Sequence, residues 1–262
     1  MKDDSKDRGG RMMTNDGDAA VAEAVVRDCA PTGVLRVGIN LGNPVIAQRN
    51  RGGGDPGGVG PALGREIARR LGLPLKFVTY ETAGGMADAV KEGAWDVAFL
   101  AVDPARATDI AFTAPYVHIE GTYLVRDDSP ARKVQDLDRA GVRIAVGLKT
   151  AYDLFLTRQV KQAQLVREPT SVAALEAFVA RGLDAAAGVR QPLEGFAASH
   201  PGLRVLDESF MVIRQASGVP KGRPQAAAWL AGFIEEAKRT GFVEKALKES
   251  GVGEVTIAPP AS

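Results

Sequence analysis

Imidazole and thiol are nearly missing from this chain: its 262 residues hold two histidines, His118 and His200, and one cysteine, Cys29. A lone thiol excludes an internal disulfide, and with no second cysteine or nearby histidine it offers no metal site. Two histidines far apart leave little material for a histidine-based zinc centre or a serine–histidine relay, so no metal and no cofactor is expected. A charge bias is missing too. Basic residues number 33 and acidic ones 32, net +1, so no global field draws a polyanion and nucleic acid is not an expected partner. No apolar run approaches the length of a bilayer span, so direct membrane insertion is not expected, and residues 1–30 lack the apolar stretch of an export signal. No acidic pair in a loop has the spacing of an acid–base couple.

What is present is the material of a globular α/β protein. Apolar content of 45% and charged content of 25% are ordinary, and the length fits one large or two modest domains. Met1 to Asp18 is polar with almost no large apolar side chain, so it is expected as a flexible tail, followed by a short alanine-rich stretch at Ala19–Val26. From Val34 apolar strands alternate with amphipathic helices in two β-α-β-α-β series. The first runs through strands at Leu35–Asn40, Leu75–Thr79 and Trp95–Ala101. The second runs through Val142–Val146, Gln164–Arg167 and Leu183–Gly188. Two closing helices, near Gln225–Arg239 and Phe242–Glu249, are expected to return to the first lobe. Tyr123–Arg126 and Phe210–Arg214 would then be two hinge crossings beside a cleft. The Gly58–Gly64 turn has the wrong spacing for a dinucleotide fingerprint.

Two places carry chemistry. Trp95–Ala101 reads as a strand buried on both faces, and Asp103 with Pro104 starts a helical turn that sets Arg106 just beyond its carboxyl end at Ala101. Ligands sit at that edge of open α/β sheets, and a guanidinium fork matches a carboxylate in charge and shape. In the second series Thr150 fits the N-cap of a helix, so the N–H groups of Ala151 and Tyr152 would face an anion, with Lys149 adding charge. Arg190, Gln191 and Glu194 follow the last strand and lie near the same cleft edge.

The run Leu35-Arg36-Val37-Gly38, then Ala68–Gly72, Gly93–Val97, Asp103–Arg106 and Phe112–Tyr116, over roughly Val34 to Gly251, resembles the family 3 solute-binding proteins, receptors of ABC importers for polar amino acids and related acids. The resemblance implies a two-lobed periplasmic-binding-protein-like II fold, each lobe a mainly parallel sheet flanked by helices with two hinge crossings. It also implies a monomer, an ABC permease as partner, and no catalysis. It assigns Arg106 the grip on a ligand carboxylate, with Thr150 and Ala151 completing it from the other lobe, while Ala101 and Tyr152 are candidate contacts from their places beside these residues. The departures matter as much. Asn40 stands where the family has an aspartate for an α-ammonium, Val189 or Arg190 stands at the place of a second one, and Asn43 and Ala83 or Gly84 replace sandwiching aromatics. Because a buried ammonium needs an anionic or strongly accepting partner, these losses point to a small carboxylate that is not a standard α-amino acid, with room for a second acidic group at Arg190.

The expected limits are a flexible tail at 1–30, one lobe from 33–124 and 215–251, the other from 125–214, and a tail at 252–262. The alternative is a cyclohexadienyl or arogenate dehydratase on the same fold, which would need a general acid, Glu194 being the nearest candidate. A sensory module is a third reading. The resemblance implies the periplasm, with retention in the cytoplasm the alternative for a chain showing no signal.

Overall fold

The computed structural model describes residues 16–253 and 255–261, so residues 1–15 of the expected tail lie outside the described residues. The first series comprises α1 (Asp16–Cys29), β1 (Leu35–Asn40), α2 (Val59–Leu71), β2 (Leu75–Tyr80), α3 (Ala83–Asp88) and β3 (Val97–Ala101). A long strand, β4 (Ile110–Arg126), leads to the second: β5 (Arg143–Gly147), α4 (Ala151–Gln159), β6 (Gln164–Glu168), α5 (Ser171–Ala180), β7 (Ala185–Val189) and α6 (Arg190–Ser199). The chain then passes through β8 (Leu203–Val205) and β9 (Met211–Pro220) to α7 (Pro224–Arg239), α8 (Phe242–Ser250) and β10 (Thr256–Ile257).

Each series makes parallel pairs, β1 with β2 and β3, β5 with β6 and β7, as crossover helices require. The two halves join through antiparallel β4 and β9, giving the order β2-β1-β3-β9-β4-β7-β5-β6. The join differs from the expected hinge. Tyr123 and Leu124 pair with Ala187 and Ala186 of β7, while Leu124–Arg126 pair with β8, so this stretch belongs to the second sheet half. The passage lies farther back, where β4 shifts register around Pro115 against β9. Proline cannot donate to a ladder, and the two irregularities flanking it turn the strand from one half to the other.

Both presumed tails carry docked structure. Helix α1 lies on α7 and buries Val25 and Cys29, one turn apart, together with Ala30. At the other end β10 pairs with Val117 and His118 of β4 and Ala258 is buried, so this segment covers an otherwise open strand edge. The expectation of free tails at 1–30 and 252–262 is corrected for these parts.

The base of the first half is tied by one buried carboxylate. Asp96, fully buried, accepts from Nε and Nη2 of Arg36 at 2.9 and 2.8 Å and from Arg223 at 2.8 Å. This joins β1, the entry to β3 and the start of α7. All five residues of β3 are buried, as its apolar run requires.

Candidate functional site

Beyond β3 the chain turns through Asp103, whose side chain accepts from the Ala105 N–H at 2.9 Å and whose carbonyl accepts from Ala107 at 2.9 Å. The short 3-10 turn Arg106–Thr108 follows, and Arg106 is only 6% exposed. Its Nη1 donates to the Ala101 carbonyl and its Nη2 to the Lys149 carbonyl, each at 3.0 Å. Among the described residues no carboxylate hydrogen-bonds it. Burial pulls its pKa down to about 10, opposed by the nearby charges of Asp103 and Asp88. Among the described residues its hydrogen bonds all go to carbonyl oxygens, and a desolvated cation of this kind is stabilised further by a nearby anion.

Across the cleft Thr150 caps α4: its Oγ1 accepts from the Asp153 N–H at 3.1 Å and donates to the Gly147 carbonyl at 2.8 Å. Asp153 reaches back to the N–H of Lys149 at 2.8 Å and is held by Arg167 at 2.9 Å. The hydroxyl of Tyr152 donates to Ser171 Oγ at 2.8 Å, tying α4 to α5, whose cap Thr170 accepts from Ala173 at 3.0 Å. Burial, the largest influence on Tyr152, raises its phenol and keeps it protonated. The starts of α4, α5 and α6 therefore all border one cleft, presenting the positive ends of three helices to it.

The cleft lining brings together Asn40, Asn43, Ala101, Arg106, Thr150, Ala151 and Tyr152. Its volume is about 70 Å³. One water takes roughly 10–15 Å³ of such space, so the cleft suits a compact molecule. Arg190 is a correction. Its Nε pairs with Glu120, while Nη1 and Nη2 donate to the carbonyls of Leu206 and Asp207 at 3.1 and 2.8 Å. Val189, ahead of α6, takes the cleft position, and the next side chain leaves on the opposite side. Glu194 is exposed and 3.8 Å from Arg190, outside the lining.

Sequence reasoning missed Thr170, Ser171, Glu81, Ile213 and Gln215, all in the lining. Thr170 follows the same strand-then-cap grammar as Thr150 and was findable. The hinge-strand residues Ile213 and Gln215 left no local signal. Glu81 contributes the single acidic side chain of the lining, and it is paired with Arg49.

Residues 35–250 match the bacterial extracellular solute-binding proteins, family 3, and the chain belongs to that family. Among solved structures it is similar to a mutant of ArgBP from T. maritima, at 23% identity over 87% of this chain and 99% of the other, with a TM-score of 0.74. The cysteine-binding protein from Campylobacter jejuni is similar at 21% identity over 87% and 92%, TM-score 0.74. An ancestral amino acid-binding protein described as a precursor of cyclohexadienyl dehydratase is similar at 22% identity over 88% and 98%, TM-score 0.71. At such identities these likenesses speak for the two-lobed α/β fold alone. Among the described residues no helix is long and apolar enough to cross a membrane.

Proposed function

We propose that the chain is the receptor of an ABC-type importer, working outside the cytoplasmic membrane, and that it closes on a small carboxylate other than a standard α-amino acid. Membership of an extracellular solute-binding family supports the receptor role and the location. The observation that carries the ligand reading is Arg106, buried at the cleft with two carbonyls as its only hydrogen-bond partners among the described residues.

The two asparagines of the lining favour acceptors on the ligand. Asn40 Oδ1 takes the N–H of Gly42 at 2.9 Å and Asn43 Oδ1 takes that of Val45 at 3.2 Å, which fixes each amide with its NH2 as the unengaged end. Glu81, the acidic residue of the lining, is exposed and pairs with Arg49 at the surface, and no carboxylate stands in the place of Asn40. The second acidic group expected at Arg190 is withdrawn, because that guanidinium is engaged by Glu120 and by the Leu206 and Asp207 carbonyls, outside the cleft lining.

The test is a thermal-shift screen of the standard amino acids against short oxo, hydroxy and unsubstituted acids. A ligand at about 100 times its Kd adds roughly 2.7 kcal/mol, a readable shift. Strong, selective stabilisation by one standard amino acid would refute the reading.

A further inference from the structure

We infer that Gln215, on the hinge strand β9, is a specificity-determining contact that reads a neutral oxygen substituent, hydroxyl or oxo, on the ligand. The inference rests on the carboxylate reading above and extends it. Gln215 is 4% exposed and lines the cleft together with Ile213, two residues away on the same strand face. Its backbone lies between Ala101 of β3 and Val117 of β4, at the passage between the two sheet halves. Ala101 is the residue whose carbonyl holds Arg106 Nη1, so the amide and the guanidinium are anchored on one patch of the cleft floor.

The side-chain amide of Gln215 has no hydrogen-bond partner among the described residues. Its atoms are also absent from the fully enclosed unpaired polar atoms, such as Tyr116 Oη and Ser217 Oγ, so what remains to it is the cleft. A buried amide left without partners is unfavourable, and a ligand offering a hydrogen-bonding group satisfies it. The amide is uncharged and offers one donor end and one acceptor end. It therefore suits a hydroxyl or a carbonyl oxygen better than an ammonium, which needs an anion.

Four acids of one carbon skeleton test this on the full chain by calorimetry: propionate, lactate, pyruvate and alanine. The protein is expected to bind lactate or pyruvate at least about tenfold tighter than propionate, the worth of one well-made hydrogen bond. Gln215→Leu should erase that ratio. Gln215→Met, which keeps the length, serves if leucine disturbs the strand. Gln215→Glu should instead raise the affinity of alanine relative to lactate. A substitution that only loosened the strand would weaken all four acids together. Binding that keeps its ratios in Gln215→Leu and Gln215→Met overturns this inference alone. No binding by any of the four acids, or unchanged binding in Arg106→Ala, overturns the carboxylate reading and this inference with it.

Discussion

The guanidinium of Arg106 donates through Nη2 to the carbonyl of Lys149 at 3.0 Å, joining the turn after β3 to the turn before α4 across the cleft. Lys149 is the one non-glycine among the described residues with positive φ, at 56°. That left-handed conformation costs of order 1–3 kcal/mol and persists only where its surroundings hold it. Here three groups do: the carbonyl meets Arg106, the N–H meets Asp153, and Nζ meets Asp88 at 2.6 Å. The two lobes are thus in contact around the position where an anion would sit.

Replacing Arg106 by alanine should cost about 2–5 kcal/mol of ligand affinity, much of it from leaving the bound carboxylate unpaired. Arg106→Lys should recover only part of this, because the planar fork is lost. Titration calorimetry with the ligand found in the screen reads both, and undiminished affinity in the alanine variant would remove Arg106 from the site.

Gly84→Ala should hold the lobes apart. A Cβ there would lie 2.5 Å from Lys149 Cβ, well inside contact distance, and neither backbone is free to yield cheaply. Overpacking of this kind costs typically about 1–3 kcal/mol, expected here as weaker binding and a larger radius of gyration by X-ray scattering. The flanking ion pairs, Lys149–Asp88 and Arg158–Asp103, are partly exposed and screened. Asp88→Asn should therefore change affinity by only about 0.2–1 kcal/mol, and less at high salt. A Gly84→Ala protein binding as tightly as the parent would show that the contact does not govern closure.

Asp96 should set much of the acid limit of the fold. Burial pushes its carboxyl up, but hydrogen bonds from Arg36 and Arg223 outweigh this and hold it below the ordinary value. A lowered pKa means stability that is present above the unfolded-state value, about 3.9, and is lost as pH falls through the folded one. Asp96→Ala should destabilise by about 3–5 kcal/mol at neutral pH, since it removes the buried partner of two partly buried guanidiniums, and should flatten the acid limb. Denaturant melts from pH 7 downward check both, and an unchanged acid limb would show that other carboxylates set it.

Cys29 should report the docking of α1. It is 1% exposed, and burial, with the charge of Asp28 adding, raises its thiol to about 12. The native protein should resist a thiol reagent near pH 8, because the thiolate is the reacting species. Labelling should become fast under mild denaturant if the helix detaches before the core opens. Fast labelling of the native protein would mean that α1 is not held on α7.

Much of the cleft lining was legible because its signals are local. An apolar run bounded by glycine and Asp-Pro marked β3 and placed Arg106 after it, and a threonine ahead of an amphipathic stretch marked the start of α4. Arg190 was misread because spacing placed its backbone at the cleft edge while its side chain was claimed by Glu120, seventy residues away in the chain. Gln215 was missed because its neighbours Ala101 and Val117 are about a hundred residues distant. Pro115 broke the alternation of β4, so the sequence showed a crossing too far along.

By itself the sequence determined the two β-α-β-α-β series and the position of Arg106 beyond a buried strand, because runs and caps act within a few residues. Only the tertiary structure decided where α1 and β10 dock, which way Arg190 turns, and that Gln215 faces the cleft. Those outcomes depend on partners brought close by the sheet order, and a pairing across a hundred residues leaves no trace in local spacing.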